Sequence, residues 1–254
     1  MKAKVLVYDI ETAPNLGYYW QLYQEGNIIE VEKHWYMISF AWKWLREKKT
    51  YCKALPDYNL YKKDKENDLE LIKDLWSLFD QADVTISHNG IAFDSKKSRA
   101  RFIHHKLPPP TPYKELDTKL IAKRYFKFDS NKLDAIGDYL GVGRKMVHTG
   151  FDLWKGCMAG NVKSWQTMKK YNIQDVILLE NIYLKMLPYI QQHPNIALIN
   201  GDVTACPNCG SKNINKRGYA LSRTNRSQRF QCQDCGSWHS RPIPKDEACP
   251  KQMR

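Results

Sequence analysis

Acidic residues and long apolar runs are what this 254-residue sequence is short of. Twenty-seven Asp and Glu stand against forty Lys and Arg, a formal net charge of +13. That deficit of acid points to a polyanionic partner, nucleic acid ahead of an anionic lipid surface. No run reaches the roughly 18 apolar residues that would suggest a membrane helix, so no membrane partner is expected. The opening stretch MKAKVLVYDIETAP meets an acidic pair before an apolar segment of signal-peptide length can develop. The expected location is therefore the cytoplasm. There are seven cysteines, an odd number, and four of them sit in two tight pairs near the C-terminus, which is metal spacing rather than a disulfide framework. There is no internal repeat. With 43% hydrophobic and 26% charged residues, collagen-like, low-complexity and wholly disordered chains are excluded. The length is ample for one or two domains with a core of their own.

Hydropathy patterning alternates strands with helices. Lys4 to Tyr8 (KVLVY) is apolar and β-branched and runs straight into Asp9, the pattern of a buried strand with acids at its end. His34 to Leu45 and Thr50 to Leu55 read as two further strands, suggesting an antiparallel meander. Asn67 to Ala82 places Leu69, Ile72, Leu75, Trp76 and Phe79 at helical spacing, with Asn67 or Asp68 available as cap. A strand over Val84 to Ser87 precedes a helix over about 93–105, which the run Leu107-Pro108-Pro109-Pro110 stops. Tyr113 to Asp117 reads as an edge strand, followed by helices over 116–124, 131–140 and roughly 162–189. This order predicts an α/β fold with a mixed sheet. Composition changes near Gln191, which predicts a first domain over 1–190, a linker over 191–203 and a small Cys-rich unit over 204–254. Residues 202–254 carry ten basic and four acidic residues, net +6, nearly half of the excess charge.

Three short stretches hold candidate chemistry. In Asp9-Ile10-Glu11, residues i and i+2 of a strand share a face. Two carboxylates that close repel each other unless a cation lies between them, and oxygen-only ligands favour Mg²⁺ or Mn²⁺. Asn89-Gly90-Ile91-Ala92-Phe93-Asp94 follows a second strand and opens a helix. Asp94 would then sit in the first turn, where the helix dipole favours its ionised form. In Tyr171-Asn172-Ile173-Gln174-Asp175, the i, i+4 spacing puts Tyr171 and Asp175 on one helical face. Taken singly, each reads first as something ordinary: a solvated strand end, a first-turn acid, or a core aromatic beside an exposed acid. Their order and context join them.

Together the three stretches resemble the exonuclease motifs of the DEDD superfamily, which has the DnaQ-like, RNase H-like fold. Asp9-Ile10-Glu11-Thr12 resembles the first motif, Asn89 to Asp94 the second (N-x-x-x-F-D), and Tyr171 to Asp175 the third in its Y-x-x-x-D form. That form marks the DEDDy branch. The DEDDh branch would need a histidine five residues before Asp175, where Lys170 stands. Leu116-Asp117-Thr118 and the stretch Asn131 to Ile136 with Leu140-Gly141 are similar to accompanying family features, so the resemblance covers about residues 3–190. The nearest flavour is that of 3′–5′ exonucleases related to family B polymerase proofreading domains, including stand-alone phage versions, for which the compartment would be the host cytoplasm. The resemblance implies an RNase H-like five-stranded mixed sheet flanked by helices, and hydrolysis of phosphodiester bonds with two Mg²⁺ or Mn²⁺. It assigns Asp9, Glu11, Asp94 and Asp175 as ligands and Tyr171 as the residue that orients the attacking water. Thr12, Asn89 and Phe93 would meet the terminal nucleotides, and the products would be nucleoside 5′-monophosphates. Asp117 and Asp134 are not needed as ligands, and no such role is expected of His104 or His105. Cys52 and Cys157 read as small packed residues. Tyr18, Tyr19, Trp20 and Tyr23, just after the first motif, would either stack on an unpaired base or pack ordinarily. Trp35, Trp42 and Trp44 read as core and sheet-face residues.

Near the C-terminus, Cys206-Pro-Asn-Cys209-Gly210 and Cys232-Gln-Asp-Cys235-Gly236 form two C-x-x-C-G units separated by 22 residues. Four thiolates at this spacing predict one closed, structural Zn²⁺ site, and the stretch resembles a zinc ribbon. So small a unit would fold only with its metal. His239 and Cys249 are the alternative ligands. Between the pairs, Lys216 to Phe230 reads as a hairpin of basic residues interleaved with Tyr219 and Phe230, suited to phosphate contacts with some stacking. The expected partner is nucleic acid, DNA before RNA, with a polymerase or replication protein as a further candidate. An RNA exonuclease of the same chemistry, and a non-catalytic zinc-ribbon protein binding nucleic acid or a polymerase, are the alternatives.

Overall fold

The computed structural model describes residues 2–20 and 28–243; Tyr23 and Cys249 lie outside the described residues. In chain order the strands are β1 (Val5–Thr12), β2 (Leu16–Tyr18), β3 (Glu30–Lys33), β4 (Met37–Trp44), β5 (Tyr51–Ala54), β6 (Val84–Ser87), β7 (Lys114–Asp117), β8 (Ile214–Leu221), β9 (Arg226–Cys232) and β10 (Trp238–Pro242). The helices are α1 (Leu69–Gln81), α2 (Asp94–His104), α3 (Thr118–Tyr125), α4 (Leu133–Tyr139), α5 (Phe151–Met158), α6 (Val162–Met186) and α7 (Ile196–Ile199). By contacts the chain forms two units, one of Lys4–Leu120 and Phe128–Ile182, the other of Met1–Ala3, Ile121–Lys127 and Tyr183–Arg254.

The first unit holds a mixed five-stranded sheet in the order β5-β4-β1-β6-β7. β1, β4 and β5 form the expected antiparallel meander, while β6 and β7 run parallel to β1. β1 is the central strand, and Val5, Leu6, Val7 and Tyr8 are all buried. Such a continuous apolar run suits a strand covered on both faces. α1 buries Leu71, Ile72, Leu75 and Phe79 on one stripe. Phe79 meets Tyr8 edge to face at 4.9 Å.

The register of β1 positions the site. β6 pairs with β1 only from Val5 to Val7, whereas β1 runs on to Thr12 against β4. Beyond Val7 the β6 side of β1 is therefore open, at the carboxyl end of two adjacent parallel strands, where α/β sheets place their ligands. The first turn of α2 fills part of the opening. The Ile10 amide, left without a strand partner there, donates to Asp94 Oδ1 at 3.2 Å.

Element boundaries differ from the sequence expectations in explicable ways. Asp68 occupies the N-cap position of α1 but makes no side-chain cap bond. Its buried carboxylate instead accepts from the Met37 amide, Arg101 and His105. Asn67 Oδ1 accepts from Leu69 N at 3.1 Å. The strand expected from His34 begins at Met37, so Trp35 lies before it. α5 and the short pair β2–β3 carry no strong periodicity in sequence to announce them. The core of the first unit also contains a buried ion pair, Lys43 with Glu180.

In the second unit, β8, β9 and β10 form a three-stranded antiparallel sheet in the order β10-β9-β8. The stretch expected as a linker contains α7, capped by Asn195 Oδ1 accepting from Leu198 N.

Candidate active site and metal centre

Asp9 and Glu11 leave the same face of β1, opposite Ala41 and Ser39 of β4. Asp175 arrives from α6, one face of which buries Trp165, Met168, Tyr171, Asn172, Asp175 and Leu179 at the helical period. Ligand oxygens of Asp9, Glu11 and Asp175 all lie within 4.8 Å of one another. Asp94 stands outside that trio. It is buried, held by the Ile10 amide, and close enough to Asp9 and Glu11 for its charge to act on both.

The electrostatics follow from crowding acids at a half-buried strand end. Burial lifts the Asp9 carboxyl well above the usual range, and repulsion from Asp94, Glu11 and Asp175 adds to it. Glu11 rises to about 8, through burial first and then Asp175. Asp94 rises to about 7 through burial, which its backbone amide bonds only partly offset. Burial also raises Asp175, with Lys145 opposing. Four such groups ionise together only beside cationic charge. Asp175 Oδ1 is buried without a hydrogen-bond partner. A bare carboxylate oxygen on a residue grouped with two further carboxylates fits a hard divalent cation.

Three residues that sequence reasoning missed complete the arrangement. Lys145 Nζ lies 2.5 Å from Asp175 Oδ2 and donates to Tyr171 Oη at 3.0 Å. Asn172 is wholly buried; its Nδ2 donates to Asp9 Oδ2 at 2.7 Å, and its Oδ1 accepts from Ser39 Oγ. His148 meets the Tyr171 ring edge to face at 4.8 Å. Asn172 had a signal, since it stands next to Tyr171 in the third motif. Lys145 and His148 sit in the irregular stretch Gly143 to Gly150, where no periodicity or spacing marks them. Tyr171 itself is buried, and its hydroxyl is held protonated, by burial first and then by Glu11 and Asp175.

The second-motif loop is organised by Asp117. Its carboxylate accepts from the amides of Asn89, Ile91, Lys119 and Leu120. This clasp holds Asn89 in the left-handed region, at φ 67, and Lys119 Nζ donates to the Asn89 side chain at 3.1 Å. Beside it lies a cleft of about 460 Å³ whose lining includes His88, Lys119, Lys132 and Lys145. Phe93 is 40% exposed, and Thr12 is half-buried at the bulged end of β1. Tyr18, Tyr19 and Trp20 are exposed rather than packed. Burial pushes the thiols of Cys52 and Cys157 up to about 12, which keeps them in the protonated form.

A family model of the RNase H superfamily matches residues 27–187, well over half of the chain. The chain belongs to the RNase H superfamily. The match begins beyond Asp9 and Glu11, so those two enter on the geometry above. No curated protein matches the sequence. Superfamily members are typically nucleases and commonly use divalent metals, which gives this RNase H-like protein phosphodiester hydrolysis on nucleic acid as its class of activity. The mixed sheet with flanking helices is the RNase H-like α/β architecture. No described helix is long and apolar enough to cross a membrane.

In the other unit the Sγ atoms of Cys206, Cys209, Cys232 and Cys235 lie within 4.8 Å of one another. Cys206 to Cys235 is 3.7 Å and Cys209 to Cys232 is 3.6 Å. Those separations are too long for disulfides and match the edge, about 3.75 Å, of a tetrahedron with metal–sulfur bonds of about 2.3 Å. The two turns repeat one another. Gly210 N donates to Cys206 O and Gly236 N to Cys232 O, while the Cys206 and Cys232 amides donate to Ser211 O and Ser237 O. Gly210 and Gly236 have φ of 73 and 76, a conformation that costs glycine nothing. His239 stacks on Phe230 at 5.3 Å and lies outside the sulfur cluster.

Proposed function

We propose that this chain is a DEDDy-type 3′–5′ exonuclease that removes nucleoside 5′-monophosphates from single-stranded or unpaired 3′ ends of DNA. The observation that carries the reading is the convergence of Asp9, Glu11 and Asp175 on one point, with Tyr171 one helical turn from Asp175 and Asp94 behind Asp9. Asp9, Glu11, Asp94 and Asp175 would hold two Mg²⁺ or Mn²⁺. When bound, such ions neutralise a scissile phosphate and acidify water enough for it to attack. Asn172 fixes the Asp9 carboxylate in one orientation. The Tyr171 hydroxyl, kept protonated and steered by Lys145, is a donor for the attacking water or a phosphate oxygen. Lys145 brings a positive charge to where negative charge grows during in-line displacement. Thr12, Asn89 and Phe93 border the place of the terminal nucleotides.

The proposed organisation is a nuclease domain over 1–190, a linker over 191–203 and a four-cysteine zinc ribbon over 204–254 that holds the strand. Residues 203–233 contain six Lys and Arg and no acid, and the Arg226 guanidinium lies 3.5 Å over the Tyr219 ring. That combination suits phosphates and bases. The test is incubation with 5′-labelled single-stranded DNA, matching RNA and duplex DNA, with Mg²⁺, Mn²⁺ or EDTA. A ladder shortening from the 3′ end of DNA, abolished by EDTA, is the expected result. The same ladder confined to RNA makes the chain an RNA exonuclease. Retardation without cleavage on every substrate overturns the enzymatic reading in favour of a binding protein.

A further inference from the structure

Past Asp94, α2 opens a stretch of chain without acid. Residues 95–114 hold Lys96, Lys97, Arg99, Arg101, Lys106 and Lys114 and no Asp or Glu. Two of these charges are committed. Arg101 is forked onto the buried Asp68, and Arg99 pairs with Glu115 at 3.0 Å. Lys97 differs. Among the described residues it has no carboxylate partner, and aromatic rings flank it instead. Its ammonium lies 3.6 Å from the centre of the Trp35 ring and 5.5 Å from that of Phe93.

The frame around Lys97 is anchored on a buried group. Asp68 is wholly buried and holds both the Met37 amide, two residues after Trp35, and Arg101, whose guanidinium faces the same Trp35 ring at 5.7 Å. The Trp35 amide donates to Asn15 Oδ1 at 2.8 Å. Phe93 is fixed from the other side, its amide bonded to Asn89 O at 3.0 Å. Ring faces attract an ammonium but accept no strong hydrogen bond from it, so its N–H donors stay available to an anion. Lys97 follows the candidate ligand Asp94 by three residues, one turn of helix away. An anion seated here would have two aromatic rings close by, which matches a phosphodiester between unpaired bases. A duplex, with its bases stacked inward, offers the phosphate without the bases.

We propose that Lys97, framed by Trp35 and Phe93, holds a backbone phosphate of an unpaired nucleic-acid strand on its way into the carboxylate site. This rests on the nuclease reading and adds to it a footing away from the scissile bond. Lys97→Gln should lower kcat/KM on a 12-nucleotide single strand about tenfold, the scale of one charge-assisted contact. The loss should be several-fold smaller on the p-nitrophenyl ester of thymidine 5′-monophosphate, which has no neighbouring phosphate. The dependence of log kcat/KM on log salt should become shallower by about 0.7, one phosphate's share on a single strand. Lys97→Arg should recover most of the loss, and DNA and RNA strands should show it alike, since the contact is to the backbone. Equal losses on strand and ester, in both variants, would make Lys97 a structural residue and overturn the proposal. Wild-type kinetics of Lys97→Gln on the strand would also overturn it and leave this surface to an acidic protein. If the wild-type chain cleaves neither substrate, the nuclease reading itself has failed.

Discussion

The ammonium of Lys145 sits 2.5 Å from one oxygen of Asp175, while the other oxygen of that carboxylate is buried and bare. One carboxyl group thus has one oxygen neutralised by a protein cation and the other left without a partner, in a residue grouped with Asp9 and Glu11. Lys145 also reaches the Tyr171 hydroxyl at 3.0 Å, tying the two ends of the third motif together. Removing its charge should act in opposite directions on two measurements. Lys145→Met should bind Mn²⁺ more tightly, because a repelling charge beside the trio is gone. It should also cleave single-stranded DNA about 10²-fold more slowly, the scale of losing one preorganised donor at a reacting phosphate. Calorimetric titration with Mn²⁺ and a labelled-strand assay check both. Weaker metal binding in the variant would contradict the placement of Lys145 as a charge beside the metal centre.

Asn172 bridges two strands of the sheet from α6, donating to Asp9 and accepting from Ser39. Asn172→Ala should therefore reduce cleavage about tenfold by letting the Asp9 carboxylate turn. It should also cost about 1–3 kcal/mol of stability, the range for leaving buried partners unsatisfied. Urea unfolding alongside the cleavage assay separates the two effects. Full activity in a folded Asn172→Ala protein would show that Asp9 needs no such support.

Strand and helix positions were legible wherever period and burial agree. Val84–Ser87 matches its expected limits, and β1, β4 and β5 form the expected antiparallel meander. The approach of the four cysteines was legible from spacing, because each pair sits on a tight turn, whereas the grouping of Asp9, Glu11 and Asp175 was legible only through the family resemblance, since nothing in the spacing of three distant motifs brings them together. Lys145 and Asp117 were not. Lys145 comes from an irregular stretch whose path only tertiary packing decides. Asp117 reads in sequence as a strand-end acid; its four amide partners emerge only when the 89–91 loop folds over the end of β7. Asp68 misled for a related reason. A cap-forming residue is also a carboxylate, and here Arg101 and His105 claim it.

His88 gives the fold a pH dependence of known sign. Its Nδ1 is 2.9 Å from Thr118 Oγ1 and its Nε2 3.0 Å from Asn131 O. A carbonyl only accepts, so in the neutral ring Nε2 carries the proton, and Nδ1 shares the one Thr118 hydroxyl proton with Ser87 O, 3.1 Å from that hydroxyl. Burial lowers the pKa to about 4, with Lys119 and Lys145 acting in the same direction and the Asn131 carbonyl and Asp117 opposing. The unfolded chain therefore binds this proton first as pH falls below about 6.5, the unperturbed histidine value. The stability His88 contributes is complete above that pH and drains away down to about 4, by an amount of up to about 3 kcal/mol. Thermal melts between pH 7 and pH 4 should show a shallower fall for His88→Gln than for the wild type. Parallel curves would assign the acid sensitivity elsewhere.

The sulfur cluster should be the point at which metal controls folding. Thiolates 3.6 and 3.7 Å apart repel one another unless a cation or protons sit among them. The three-stranded sheet they anchor buries little, its outer strand β8 having six exposed residues of eight. A unit of that kind depends on its metal for folding free energy. The purified chain should therefore release about one Zn²⁺ per molecule when its thiols are titrated with a mercurial, measured with a chromogenic chelator. Cys206→Ser should bind less than a tenth of that. Limited proteolysis of the variant should cut first between β8 and β10, where the zinc-loaded protein resists, while the segment Lys4–Leu120 survives. Resistance of β8 to β10 in a zinc-free Cys206→Ser protein would show that the sheet folds without metal, and the cysteines would then need another explanation.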